Sequence, residues 1–167
     1  NGFYGTDWLF NTLVNAAQKY QTDYRDAHPT SSNIRITEIS NLLGGYRSPH
    51  STHQTGLNID FSVAQDDGKD KDWGSNWQND EYDQDAMRAI LTALLDQPLV
   101  LNKNEIYFND PVLIAENLCK KVNSHDNHGH FNVDPPPLCE TDANGDPASS
   151  DCCLAPYDDA TKSDISS

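Results

Sequence analysis

Five of the six histidines fall into two short clusters, His50 with His53 and His125 with His128 and His130. Only His28, which precedes a proline, lies outside them. Imidazole is the commonest side-chain metal ligand, and a carboxylate completes many catalytic zinc sites. Asp60 supplies that carboxylate seven residues after His53. These residue types suggest metal coordination, with imidazoles to spare for proton transfer. A lone His-x-His pair is commonly only a surface or hydrogen-bonded feature. Two clusters with an aspartate at strand spacing form a stronger pattern.

The elements that must position these groups can be read from periodicity. Residues 58 to 63 alternate, with Ile59, Phe61 and Val63 facing one way and Asn58, Asp60 and Ser62 the other. Residues 128 to 133 alternate too: His128, His130 and Asn132 oppose Gly129, Phe131 and Val133. Each strand thus has a core face and a polar face. The polar faces together offer two imidazoles and one carboxylate. A carboxylate among core-forming residues is costly unless it is paired, and a metal removes that cost. Gly56 allows a turn that returns His53 to the same place.

Around these strands the pattern predicts a helix capped by Thr6, with Leu9, Leu13, Ala16, Ala17 and Tyr20 at helical spacing. Residues 34 to 40 read as a strand, and residues 41 to 49, with Gly44-Gly45, as a loop. Residues 65 to 80, carrying Trp73 and Trp77, read as a long surface loop of the kind that builds clefts. A second helix is expected from Asp85 to Asp96, with Met87, Ile90, Leu91, Leu94 and Leu95 buried. A short strand follows at Glu105 to Phe108. Asp110-Pro111 is a helix start, with the helix running to about Lys121. The fold class is α+β, with a small antiparallel sheet flanked by helices. One domain is expected over residues 1–167, with 135–167 an irregular, disulfide-tethered tail after the triple proline.

The composition removes several function classes. Net charge is -15, and no basic stripe is present to neutralise phosphates, so nucleic acid is not an expected partner. No apolar run approaches the ~20 residues that span a bilayer, so no membrane insertion is expected. No export signal opens the chain, so one is expected to have been removed or to lie outside this sequence. None of the four cysteines, Cys119, Cys139, Cys152 and Cys153, sits in a CxxC pair, which disfavours a thiolate zinc site. Three of them lie in the Pro- and Asp-rich tail, which suggests disulfides and an oxidising compartment. A vicinal Cys152-Cys153 bond is strained, leaving Cys119 and Cys139 each joined to one of these two; free thiols are the alternative. Asp142-Ala143-Asn144-Gly145-Asp146 has oxygens at calcium-loop spacing, but Cys153 stands where such a loop needs glutamate, so a solvated turn is expected.

The segment Pro49 to Asp60, PHSTHQTGLNID, resembles the HxxHQTGLxxD signature of penicillin-insensitive murein endopeptidases. His125 to His130, HDNHGH, is similar to that family's HDxHxH signature. Ile106 to Pro111, followed by Leu118-Cys119, resembles the segment before the second signature, and Gly44-Gly45 and the Cys-containing tail match in kind. The resemblance implies a fold of the lysostaphin, D-Ala-D-Ala-peptidase and hedgehog-like group. It implies that His53, Asp60 and His130 bind one catalytic zinc ion and that His128 is the catalytic base. His125 would be a second active-site imidazole, and His50 a residue near or on the metal. The substrate implied is the peptide cross-link of peptidoglycan, D-Ala to meso-diaminopimelate, met in the periplasm or outside the cell. Residues 65 to 80 contain no histidine, and Asn76-Trp77 stands where a His-Trp is expected, which argues against a second metal.

Three protein ligands leave a fourth zinc position for water, whose pKa the metal lowers. His128 would take and return the proton, and a protonated His125 would steady the developing oxyanion. Tyr46, Arg47, Trp73 and Trp77 could line the groove, with Arg47 pairing a peptide carboxylate. Other expectations are a D,D-carboxypeptidase or L-Ala–D-Glu endopeptidase of the same group, or a non-catalytic hedgehog-like zinc module. The spare imidazoles favour catalysis over the last. Oligomeric state is not readable from the sequence.

Overall fold

The computed structural model describes residues 3–46, 52–66 and 75–134. The chain divides into a unit of Asn1–Asp134 and a second of Pro135–Ser167. The expected tail, Cys139, Cys152, Cys153 and the Asp142–Asp146 turn lie outside the described residues, as do His50, Arg47 and Trp73. Every described helix and strand belongs to the first unit.

Helix α1 spans Asp7–Tyr20 and begins as its sequence predicts, with the Thr6 hydroxyl accepting from Leu9 N at 3.2 Å. Leu9, Thr12, Ala16 and Tyr20 are buried, one residue per turn. A π-helical turn, Gln21–Arg25, continues it. Helix α2, Gln84–Leu95, starts at the Asp83 cap and buries Met87, Ile90, Leu91 and Leu94; the expected Leu95 is only partly buried. Helix α3 is shorter than the sequence suggests. Asp110 caps it and Pro111 opens it, but it ends at Ala115 rather than near Lys121. Asn117 turns left-handed at φ 63° and Leu118 N bonds back to Leu113 O, which stops the helix. The freed residues Cys119 and Lys120 run beside the sheet instead, Lys120 bridging Tyr107.

Four strands form one antiparallel sheet: β1 (Ile36–Glu38), β2 (Asn58–Ser62), β3 (Ile106–Tyr107) and β4 (His128–Asn132), in the order β1-β2-β4-β3. The α+β class is therefore as expected. The outer strands are shorter than their sequence patterns, two and three residues against the four and seven expected. The central pair is the part that positions the site. Its register sets Asn58 opposite Asn132, Ile59 opposite Phe131, Asp60 opposite His130, Phe61 opposite Gly129 and Ser62 opposite His128.

One face of that pair is apolar. Ile59, Phe61 and Phe131 join Leu9, Met87, Ile90, Leu91 and Leu94 in a single core. Gly129 is required there. A Cβ at that position would overlap the Phe61 ring, which lies across the glycine. Among the described residues Cys119 is a buried free thiol, its Sγ 3.4 Å from Phe108 O; the cysteines expected as its partners lie outside them. Burial pushes its pKa up to about 12, as suits an unreactive core thiol. No helix among the described residues is long and apolar enough to cross a membrane.

Candidate metal centre

The other face of the central strands carries the chemistry. Cross-strand partners share a face. The pairing of Asp60 with His130 therefore brings a carboxylate and an imidazole together, with Nδ1 of His130 2.7 Å from Asp60 Oδ1. His53 reaches the same oxygen from a loop, its Nε2 at 3.1 Å. The three side chains are 1–7% exposed. Their donor atoms all lie within 4.8 Å of one another, the spacing of a group that could hold a metal ion.

The loop that delivers His53 is held at several points. Gly56, at φ 73°, accepts from Thr6 N at 3.0 Å, so the start of α1 anchors the first motif. Its α-carbon has no room for a side chain, since a Cβ would come 3.1 Å from Gly5 Cα. His53 itself has φ 59°, a left-handed conformation uncommon outside glycine. Its N–H donates to Asn58 Oδ1 at 3.1 Å and its Nδ1 lies 2.5 Å from Ile39 O. Backbone strain of this kind persists where surrounding contacts enforce it, often at functional sites.

These contacts assign the ring nitrogens. A carbonyl oxygen only accepts, so His53 Nδ1 carries the proton and Nε2 turns inward. His130 Nε2 lies 2.9 Å from Asn132 Oδ1, leaving Nδ1 inward. Two imidazole nitrogens thus converge on one carboxylate oxygen, and that arrangement demands a positive charge between them, as protons or as a cation. The electrostatics agree. Burial alone would lower the His53 pKa, but the hydrogen bond and charge of Asp60 outweigh it and raise it above the ordinary value. Asp60 is driven well below the usual carboxylate range; burial opposes this, and the hydrogen bonds and charges of His130 and His53 overcome it. The donor set, two nitrogens and one oxygen on buried side chains, is compatible with zinc. Zinc bonds of ~2.0–2.1 Å in a tetrahedron place ligands about 3.3 Å apart; here the two nitrogens stand 2.7 and 3.1 Å from Asp60 Oδ1.

Two further imidazoles border the cluster on its more open side. His128, on the same face as His130, is 22% exposed, with Nε2 3.9 Å from Asp60 Oδ2. Its Nδ1 bonds Asn127 Oδ1 at 2.8 Å, so Nε2 is the basic nitrogen turned toward the site. His125 lies 4.7 Å from His128 and 5.7 Å from His130 between ring centres. Burial holds its pKa below the ordinary value, and its Nδ1 faces Asn123 O at 2.8 Å. The carbonyl only accepts, so Nδ1 carries a proton and Nε2 is the other ring nitrogen.

Four residues at the site were not singled out from the sequence as functional. Glu38 on β1 is buried opposite Asp60, adding negative charge beside His53. Tyr107 on β3 stands opposite His130 and stacks on its ring at 4.9 Å, 7° from parallel. Asn58 and Asn132 face each other at the end of the row. A signal existed for the asparagines, since both sit on the polar phase of their strands; Glu38 and Tyr107 depend on which strands pair. Trp77, which could line the groove, braces the second motif. Its backbone and indole N–H groups both donate to Asp126, at 3.1 and 3.2 Å, beside His125. Tyr46 is exposed.

Set against known proteins, the chain matches no family model, and no curated protein matches it.

Proposed function

We propose that this chain is a zinc-dependent peptidase that hydrolyses peptidoglycan peptide cross-links, between D-Ala and meso-diaminopimelate. One observation carries the hydrolytic part: three buried donors, His53 Nε2, Asp60 Oδ1 and His130 Nδ1, converge beside two imidazoles on the open side. A site used only for stability has no need of His125 and His128 there. The substrate class is supported by the two histidine motifs that resemble those of penicillin-insensitive murein endopeptidases. A periplasmic or extracellular location, and the hedgehog or D-Ala-D-Ala-peptidase arrangement of sheet and helices, belong to the same proposal.

His53, Asp60 and His130 would hold the metal. Zinc, when bound, supplies a Lewis acid and lowers the pKa of a coordinated water. The protein's own groups do the rest. His128 Nε2, set toward Asp60 Oδ2, accepts the proton of the attacking water and returns it to the leaving amine. His125, whose Nδ1 faces Asn123 O, would offer Nε2 as a second group for a proton or a substrate atom. Asp126, held by Trp77 and by Asn109 Nδ2 at 3.2 Å, fixes the loop that carries His125.

The test is digestion of purified muropeptides by the full chain, with and without a chelator, read by mass spectrometry. Cross-linked dimers should fall to monomers only when the metal is present. Dimers left intact by the zinc-loaded protein would reject endopeptidase action.

A further inference from the structure

We infer that Asn132 and Asn58 form a positioning relay that fixes which nitrogen of His130 faces the metal and couples it to the strained backbone of His53. The relay rests on the zinc reading of this site and involves residues that neither motif contains as a ligand or base.

The relay is a chain of hydrogen bonds with only one consistent direction. At one end, the backbone N–H of His53 can only donate, and it lies 3.1 Å from Asn58 Oδ1. The other half of that amide, Nδ2, therefore points onward, and it meets Asn132 Oδ1 at 2.6 Å. At the far end, the backbone carbonyl of Glu105 can only accept, and it lies 3.4 Å from Asn132 Nδ2. The Tyr107 hydroxyl takes the same Nδ2 at 2.9 Å. Two backbone groups thus orient both amides, and Asn132 Oδ1 is left facing His130 Nε2 at 2.9 Å. An oxygen there requires the proton on Nε2, which presents the Nδ1 lone pair to Asp60 and the metal. Tyr107 also stacks on the His130 ring, so one side chain restrains the ring plane and anchors the amide that sets its tautomer.

The same relay ends on His53, whose φ of 59° is held in part by the Asn58 bond. Both histidine ligands are therefore steadied from outside the donor cluster by one pair of amides. Asn132 is not one of the donors of the cluster. It acts through His130, and its loss should change the metal site before it changes the fold. Outer partners of this kind typically alter metal affinity by ~10- to 100-fold.

The experiment compares the full chain with Asn132→Leu, Asn132→Asp and Asn58→Leu. Zinc affinity is measured by chelator competition, and the histidine ring nitrogens of the zinc-loaded protein are assigned by long-range proton–nitrogen NMR. In the unsubstituted protein His130 should carry its proton on Nε2, slow to exchange, with Nδ1 showing the shift of a metal-bound nitrogen. Asn132→Leu should weaken zinc about 10- to 100-fold and speed exchange of that proton. Asn132→Asp, which keeps an acceptor facing Nε2, should restore affinity to within about fivefold, beyond what a loss of packing alone would allow. Asn58→Leu should fall between them. Zinc bound through Nε2 of His130, or an Asn132→Leu affinity within twofold of the parent, overturns the relay while leaving the metal site standing. An unsubstituted chain that binds no zinc overturns the metal reading and the relay with it. The nitrogen assignment needs no variant, so it decides the matter even if a substitution prevents folding.

Discussion

At the scale of residues, the proposed site separates groups that would hold a metal from groups that would move protons. Asp60 is shared by two imidazoles, so Asp60→Ala should abolish stoichiometric zinc binding, as measured by metal analysis after gel filtration. His128 stands 3.9 Å from the carboxylate and is bonded through its other nitrogen, so His128→Ala should keep zinc and lose roughly 10²- to 10⁴-fold in turnover. A variant that loses both together would make His128 a ligand instead. The raised pKa of His53 gives a signed dependence on acidity. A proton held there by Asp60 must leave before the metal binds. Zinc affinity should therefore be full above that raised value and fall as the pH drops through it, about tenfold per unit for each proton displaced. Calorimetric titrations across neutral and mildly acid pH would show it; a flat profile would mean that His53 is not a ligand.

At the scale of elements, the central strands do most of the work, and they were the most legible. Their apolar and polar residues alternate without interruption, so the faces of Asp60, His128 and His130 followed from period two alone. What failed was governed by contacts the period does not encode. Helix α3 was expected to run to about Lys121, yet Asn117 turns the chain and Lys120 pairs with the sheet edge instead. Glu38 and Tyr107 could not be placed at the site without knowing the strand order. The asparagine relay was hidden further, because it depends on register and on amide orientation together. His50 and Arg47 lie outside the described residues. Gly129 offers a test of the packing behind the site. Gly129→Ala drives a methyl into the Phe61 ring and should cost about 1–3 kcal/mol, read as a lower urea midpoint at unchanged slope. Adding Phe61→Leu should recover part of that loss, and simple additivity of the two would deny the clash.

At the scale of the whole unit, the donors come from parts of the chain far apart in sequence. Asp60 and His130 are separated by 70 residues, and His53 comes from a loop anchored to the start of α1. An unfolded chain cannot present this group, so a zinc ion held there would bind the native state almost alone and stabilise it by mass action. At a free zinc concentration of 100 times the dissociation constant the gain is about 2.7 kcal/mol. Thermal melts should show a zinc-dependent rise in midpoint that His130→Ala removes; a rise that survives would place the metal elsewhere. The net charge of -15 has its own consequence at this scale. It provides no long-range attraction for an anionic cell-wall polymer, so recognition would rest on contacts at the groove.

The direct opposition of Asp60 and His130 also limits how the gene can vary. Losing or gaining one codon within β2 or β4 would swap the two faces of that strand, sending Asp60 or His130 into the core and core residues to the face of the cluster. Losing two codons would keep the faces but carry His130 roughly 7 Å along the strand, away from Asp60. Changes of length in these ten positions are thus closed in a way that point substitutions are not. Among descendants of this sequence, insertions and deletions should collect outside the two strands, whatever happens to the letters within them.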